Sequence, residues 1–268
     1  MRLVRFSLLA GICWSCLFAA SLTGATHGPR DGWLVIIGGG QVGPEIWDRF
    51  FSLAGGKDQP IVYIPTAGDG DKFDDKSLDT IRKAGATHVT LLHTRDRKVA
   101  DTKAFVEPLR HARAVFFAGG RQWRLADAYL DTQTERELKA LLKRGGVIAG
   151  SSAGATIFGS FMVRGAVSGN ETMVAPDHVR SMGFLTDSAI DQHLLTRHRE
   201  KDLVPVINAR PKLLGIGLDE RTAIVVHRNE FEVIGPSKVA IYTAGHDYYF
   251  LKPGDRFNLA RRAPISQP

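Results

Sequence analysis

The apolar run Gly146 to Ala149 passes without a polar break into Gly150-Ser151-Ser152-Ala153-Gly154-Ala155. A buried strand that turns straight into a helix strains the backbone at the turn and tolerates only small neighbours. The glycine frame is centred on Ser152, which has Gly150 and Gly154 two residues to either side; Ser151 has Ala149 and Ala153. Such a G-x-S-x-G turn lifts the serine hydroxyl clear of the sheet. It also aims the free N–H groups of the following helix at any anion formed beside it. The plainer alternative is a Ser-Gly turn with no chemistry.

The rest of the chain supplies the sheet that such a turn needs. Trp33 to Ile37, Ile61 to Ile64, His88 to Leu92 and Ala114 to Phe117 are short runs with few polar positions, as expected of strands buried on both faces of a parallel sheet. Between the runs lie helix-like stretches at Pro44 to Leu53, Asp75 to Ala84, Thr102 to Arg110 and Arg124 to Leu142. Their alternation predicts right-handed βαβ units. From Leu213 to Leu251 five closely spaced strand candidates predict antiparallel hairpins extending the same sheet. The fold expected is α/β, a three-layer α/β/α sandwich with a mostly parallel central sheet and a C-terminal antiparallel hairpin extension. A length of 268 residues with no long linker favours one domain over residues 26–268.

Residues 1–25 read differently. Arg2 and Arg5 precede an uncharged run from Phe6 to Leu22, and small residues follow at Thr23-Gly24-Ala25, the pattern of a secretory signal peptide. The competing reading is a membrane anchor, for which an uncharged run of about 17 residues falls short of the roughly 20 that span a bilayer. Both cysteines, Cys13 and Cys16, lie in this segment. The mature chain is therefore expected to be secreted or periplasmic, with no disulfide, thiolate metal site or cysteine nucleophile. Losing the two arginines lowers the net charge from +7 to +5. No basic run is interleaved with aromatic residues, which argues against a nucleic-acid partner.

Gly38-Gly39-Gly40-Gln41-Val42-Gly43 fits the glycine pattern of a dinucleotide site, but the second strand ends in Tyr63-Ile64-Pro65-Thr66 without the acid that would hold a ribose. The alternative is a glycine turn that lets backbone pass close beneath a neighbouring site. A nucleophilic serine also needs a base and an acid to orient it. Among nine histidines, His193 stands out in Asp191-Gln192-His193, followed by Arg197, His198 and Arg199. A solvated helix face would read the same way.

Together with Gly119-Gly120-Arg121-Gln122 and Gly215-Ile216-Gly217-Leu218-Asp219-Glu220, these segments resemble the cyanophycinases, of the serine peptidase family that also contains dipeptidase E. The resemblance runs from about Trp33 to Ile241. It implies a class I glutamine amidotransferase-like fold with serine in place of cysteine at the elbow. It further implies Ser152 as nucleophile, His193 as general base and Glu220 as the orienting acid, with the N–H groups of Gly120 and Ala153 as oxyanion hole. Gln122, Asp191, Gln192, Arg197 and Arg199 fall on positions like the family's substrate pocket, the arginines for a carboxylate and Asp191 for a guanidinium. The implied activity is hydrolysis of β-aspartyl peptide bonds, as in β-Asp-Arg units, through an acyl-enzyme without metal or cofactor. An α-aspartyl or isoaspartyl dipeptidase, or a binding protein that keeps the elbow, are the alternatives, and a homodimer is a further implication. Two positions depart from the pattern: Arg121 stands where an acid is expected, and the arginine expected after Arg199 is missing from Glu200-Lys201-Asp202.

Overall fold

Strand β1 (Trp33–Ile37) shows why the centre of the molecule is buried on both sides. Leu34 and Ile36 point into one apolar cluster, Val35 and Ile37 into another, because successive side chains of a strand face opposite ways. The computed structural model describes residues 26–266. The signal-peptide expectation and both cysteines lie outside them.

β1 pairs in parallel with β5 (Val147–Ser151), and the parallel set continues through β4 (Ala114–Phe117), β2 (Ile61–Ile64) and β3 (Val89–Leu91). Helix α1 (Pro44–Ala54) covers one face with Ile46, Trp47, Phe50, Phe51 and Ala54, a stripe at helical spacing. Its first turn carries Pro44, and Gly55 ends it in the left-handed region at φ 96°. The short α2 (Asp79–Lys83) adds Ile81 to the same face. The opposite face is covered by α4 (Lys103–His111), with α3 (Arg97–Ala100) ahead of it, and by α5 (Gln122–Tyr129) and α6 (Gln133–Lys143). The result is the expected α/β fold. Each large apolar side chain so buried contributes about 1.5–3 kcal/mol.

The C-terminal strands depart from expectation. β8 (Ala223–His227), β9 (Glu230–Ile234), β12 (Arg256–Asn258) and β13 (Ala263–Ile265) do extend the main sheet antiparallel, β8 lying against β1. But β7 (Leu214–Leu218), β10 (Val239–Tyr242) and β11 (Tyr249–Leu251) leave it to form a second sheet with β6 (Ser188–Asp191), a strand not foreseen. One face of this sheet packs Ala189, Ala240 and Tyr242 with Leu194, closed by Leu203, Val206 and Ile207 around α8 (Leu203–Asn208), while Ile190, Ile216, Val239 and Ile241 on the other face join the main-sheet core. The expected long helix over 124–142 is broken. Asp131 adopts φ 62°, and the Thr132 hydroxyl donates to the Tyr129 carbonyl, so two short polar side chains stop the helix without glycine or proline. The 75–84 helix likewise begins as a 3-10 turn over Asp75–Leu78. Among the described residues no helix is long and apolar enough to cross a membrane.

Register decides where the chemistry sits. Ile37 pairs with Ser151, so the residues after β1 and β5 emerge side by side, with Gly119 and Gly120 following β4 next to them. In the second sheet β6 and β7 are parallel with Asp191 opposite Gly217, and their carboxyl ends carry Gln192-His193 and Asp219-Glu220. The two sheets thus bring their strand ends together. The N-terminal residues enter at the other end of β1, where the Gly28 N–H donates to the Arg228 carbonyl.

Candidate active site

At the end of β5 the chain folds back through Ser152 at φ 57°, ψ −115°, then starts α7 (Ala153–Thr156). The glycines are obligatory there. A Cβ on Gly150 would lie 2.2 Å from the Gly154 carbonyl oxygen, and one on Gly154 would lie 2.5 Å from that of Phe117. Ser151 is buried in the strand, while Ser152 is half-buried with its hydroxyl 2.8 Å from His193 Nε2. His193 Nδ1 lies 2.5 Å from Glu220 Oε1. With Nδ1–H donating to the carboxylate, a neutral imidazole leaves Nε2 to accept the serine proton. The three sequence-predicted residues therefore form one hydrogen-bonded chain.

His193 is 7% exposed and has φ 55°, so two of these three residues sit in left-handed backbone. Burial pushes the imidazole below the usual histidine range, with Glu220 opposing the shift and the charges of Arg197 and Arg199 adding to it. A neutral base at ordinary pH follows.

The glycine run after β1 forms the floor under this pair, as the turn reading anticipates. A Cβ on Gly39 would come 2.3 Å from His193 Cε1, and one on Gly40 would come 2.6 Å from Glu220 Oε2. The Gly38 carbonyl also accepts the His193 N–H at 2.8 Å. On the other side of the serine, Gly119 packs within 3.3 Å of Ser152 Cβ, counted from where its own Cβ would be. Gly120 has φ 140° and leaves no room for a side chain against the Ala67 carbonyl. Neither the Gly120 nor the Ala153 N–H has an acceptor among the described residues.

The expected substrate residues divide. Gln122 is fully buried, its Nε2 donating to the carbonyls of Val163 and Arg164 at 2.8 Å each, while its Oε1 has no partner. Buried Arg199 donates to Gln192 Oε1 at 3.0 Å. Arg197 is exposed and its guanidinium has no partner among the described residues. Asp191 is the correction. Its carboxylate is wholly buried and already accepts a fork from Arg164, Nε at 2.7 Å and Nη2 at 2.9 Å, so it does not face a substrate guanidinium. Arg121, in place of an acid, turns its guanidinium onto the Ala166 carbonyl. Among the described residues no group of three or more His, Cys, Asp or Glu is arranged to hold a metal.

A profile described as peptidase family S51 matches residues 34–234. The chain belongs to that family. A cyanophycinase of Geminocystis herdmanii is 34% identical over 262 residues, covering 87% of this chain and 96% of that protein. A peptidase E of Citrobacter koseri is 24% identical over 203 residues, covering 73% and 85%. A peptidase from an acI-B1 Actinobacterium has the same fold at TM-score 0.67 and 22% identity, covering 86% of this chain and 98% of that one. This S51 member is a cyanophycinase-like, serine-type peptidase.

In this S51 member the stretch after Arg199, where the expected arginine is missing, is tied to the rest of the wall by Arg164. Asp202 occupies that stretch and accepts from Arg164 Nη2 at 2.7 Å, so Arg164 bridges Asp202 and Asp191 and donates to the Asn170 carbonyl as well. Sequence reasoning missed Arg164, although a lone cation in Phe158–Ala166 was a signal: such a residue is seldom buried unpaired. Removing it strands a buried carboxylate. Arg164→Ala is expected to cost about 3–5 kcal/mol in urea unfolding, and adding Asp191→Asn should recover part of that. A loss below about 1 kcal/mol, the scale of an exposed pair, would show that the ion pair does not organise this wall.

Proposed function

We propose that this S51 peptidase hydrolyses β-aspartyl peptide bonds of a cyanophycin-like substrate, and that it does so outside the cytoplasm once residues 1–25 are removed. The hydrogen-bonded chain Ser152–His193–Glu220 is the observation that carries the chemistry. Ser152 Oγ attacks the aspartyl side-chain carbonyl as its proton passes to His193 Nε2, and Glu220 holds the imidazolium that results. The oxyanion is received by the N–H groups of Gly120 and Ala153, each contributing about 3 kcal/mol where charge develops. His193 then gives the proton to the leaving amine, which departs, and water releases the acyl-enzyme by the same route in reverse. Exposed Arg197, with Arg199 and Gln192 behind it, is suited to a free substrate carboxylate. Gln122 fixes the backbone on which Arg164 sits.

One observation favours a second reading, an isoaspartyl dipeptidase indifferent to arginine: the carboxylate suited to a guanidinium is occupied by Arg164. Mass spectrometry of products from cyanophycin, β-Asp-Arg, β-Asp-Leu and α-Asp-Arg, incubated in parallel, separates the readings. Attack on the side-chain carbonyl is expected to release free arginine from the polymer and to split β-Asp-Arg; release of intact β-Asp-Arg would instead place the scissile bond in the aspartyl backbone. Cleavage of both β-linked dipeptides with an intact polymer would establish the second reading, and cleavage of α-Asp-Arg alone would overturn both. Size-exclusion chromatography of the mature protein tests the implied homodimer.

A further inference from the structure

A buried acid beside the triad is left unused by the mechanism above. Asp219, next to Glu220 at the exit of β7, is 7% exposed and collects donors from two directions. Its Oδ1 accepts the N–H groups of Leu195 at 3.0 Å and Thr196 at 2.9 Å, and the Thr196 hydroxyl at 2.9 Å. Its Oδ2 accepts the Ser237 hydroxyl at 2.7 Å. Burial by itself would raise this carboxyl, but the hydrogen bonds from Ser237, Thr196 and the Glu220 backbone hold it below the usual carboxylate range, so it stays charged.

The backbone that Asp219 grips is the turn directly after His193. That turn starts from a left-handed histidine at φ 55°, a conformation that persists in a non-glycine residue only when its surroundings impose it. Three anchors impose it: the Gly38 carbonyl on the His193 N–H, the Leu218 carbonyl on the Leu194 N–H, and Asp219 on the next two N–H groups. The turn then closes with the Arg197 N–H donating to the His193 carbonyl. Two adjacent carboxylates thus have divided tasks. Glu220 orients the ring; Asp219 orients the backbone that carries it.

We infer that Asp219 is a positioning residue for the general base, setting the alignment of His193 Nε2 on Ser152 Oγ through the 194–196 turn. The inference rests on the reading of His193 as base, and the test keeps the two apart. An organophosphonate probe that labels an activated serine reads the Ser–His pair without reference to substrate. Wild type is expected to label at Ser152; no labelling would overturn the base reading itself. Asp219→Ala is expected to slow labelling by about 30-fold or more and to lower kcat with KM changed less than about threefold, since a 1 Å misplacement of a catalytic group can cost about 10² in rate. Asp219→Asn, whose side-chain oxygen still accepts from the turn, should recover most of that rate. Thr196→Val, at an exposed position, deletes one donor and should slow labelling by about three- to tenfold with unchanged thermal stability. If the Asn and Val variants, both folded by circular dichroism, label respectively no faster than Ala and as fast as wild type, Asp219 is merely structural and the inference fails. Equal labelling of folded Asp219→Ala and wild type would overturn it directly.

Discussion

Replacing Ser152 by alanine is expected to lower kcat by about 10⁴-fold or more while changing unfolding free energy by no more than about 1 kcal/mol. The hydroxyl makes one hydrogen bond, to His193 Nε2, at a half-buried position, and the backbone strain of the elbow is the same for alanine as for serine. Ser151→Ala should keep most of the activity, because that side chain lies buried in β5, one residue short of the turn. Steady-state kinetics and urea unfolding of both variants check the pair. The reverse pattern, with Ser151→Ala inactive and Ser152→Ala active, would displace the nucleophile.

Glu220→Gln should lower kcat on the order of 10²- to 10⁴-fold with the fold intact, by analogy with the corresponding change in another serine triad. The amide keeps the size of the side chain and loses the charge that stabilises the imidazolium. It also admits the wrong tautomer, since an amide N–H can donate to Nδ1 and leave the proton on Nε2. The sign of the pH effect follows from the forces on His193. Burial depresses its pKa and Glu220 raises it, so the glutamine variant loses the raising contribution. The acidic limb of kcat/KM should therefore move to lower pH than in wild type while the plateau falls. A pH–rate profile from acid to neutral reads both. A limb that moves upward, or a loss under tenfold, would show that Glu220 does not hold the base.

Strand positions were legible because a strand buried on both faces leaves a continuous apolar run, and Ile61 to Ile64 and Ala114 to Phe117 match their observed limits. The elbow was legible because its two glycines stand at fixed spacing about the serine, although only Gly150 is imposed from within the turn, by Gly154, while Gly154 is imposed by Phe117 of the neighbouring strand. What a linear pattern could not carry was partnership at a distance. The five C-terminal runs all read as strands, but nothing local in Leu214–Leu218 tells it to pair with β6 in a second sheet rather than with β9. Asp191 carries no mark of being already satisfied, because its partner lies 27 residues earlier. The break after Tyr129 was hidden because aspartate and threonine do there what glycine usually does.

The convergence of two sheets on one site also sets how much of the chain the chemistry needs. The elbow is built by β1, β4 and β5, but the histidine follows β6, the acid follows β7, and β8 lies beside β1. A chain folded only as far as its serine is inert. A fragment that ends before residue 188 therefore holds the serine and neither of its partners.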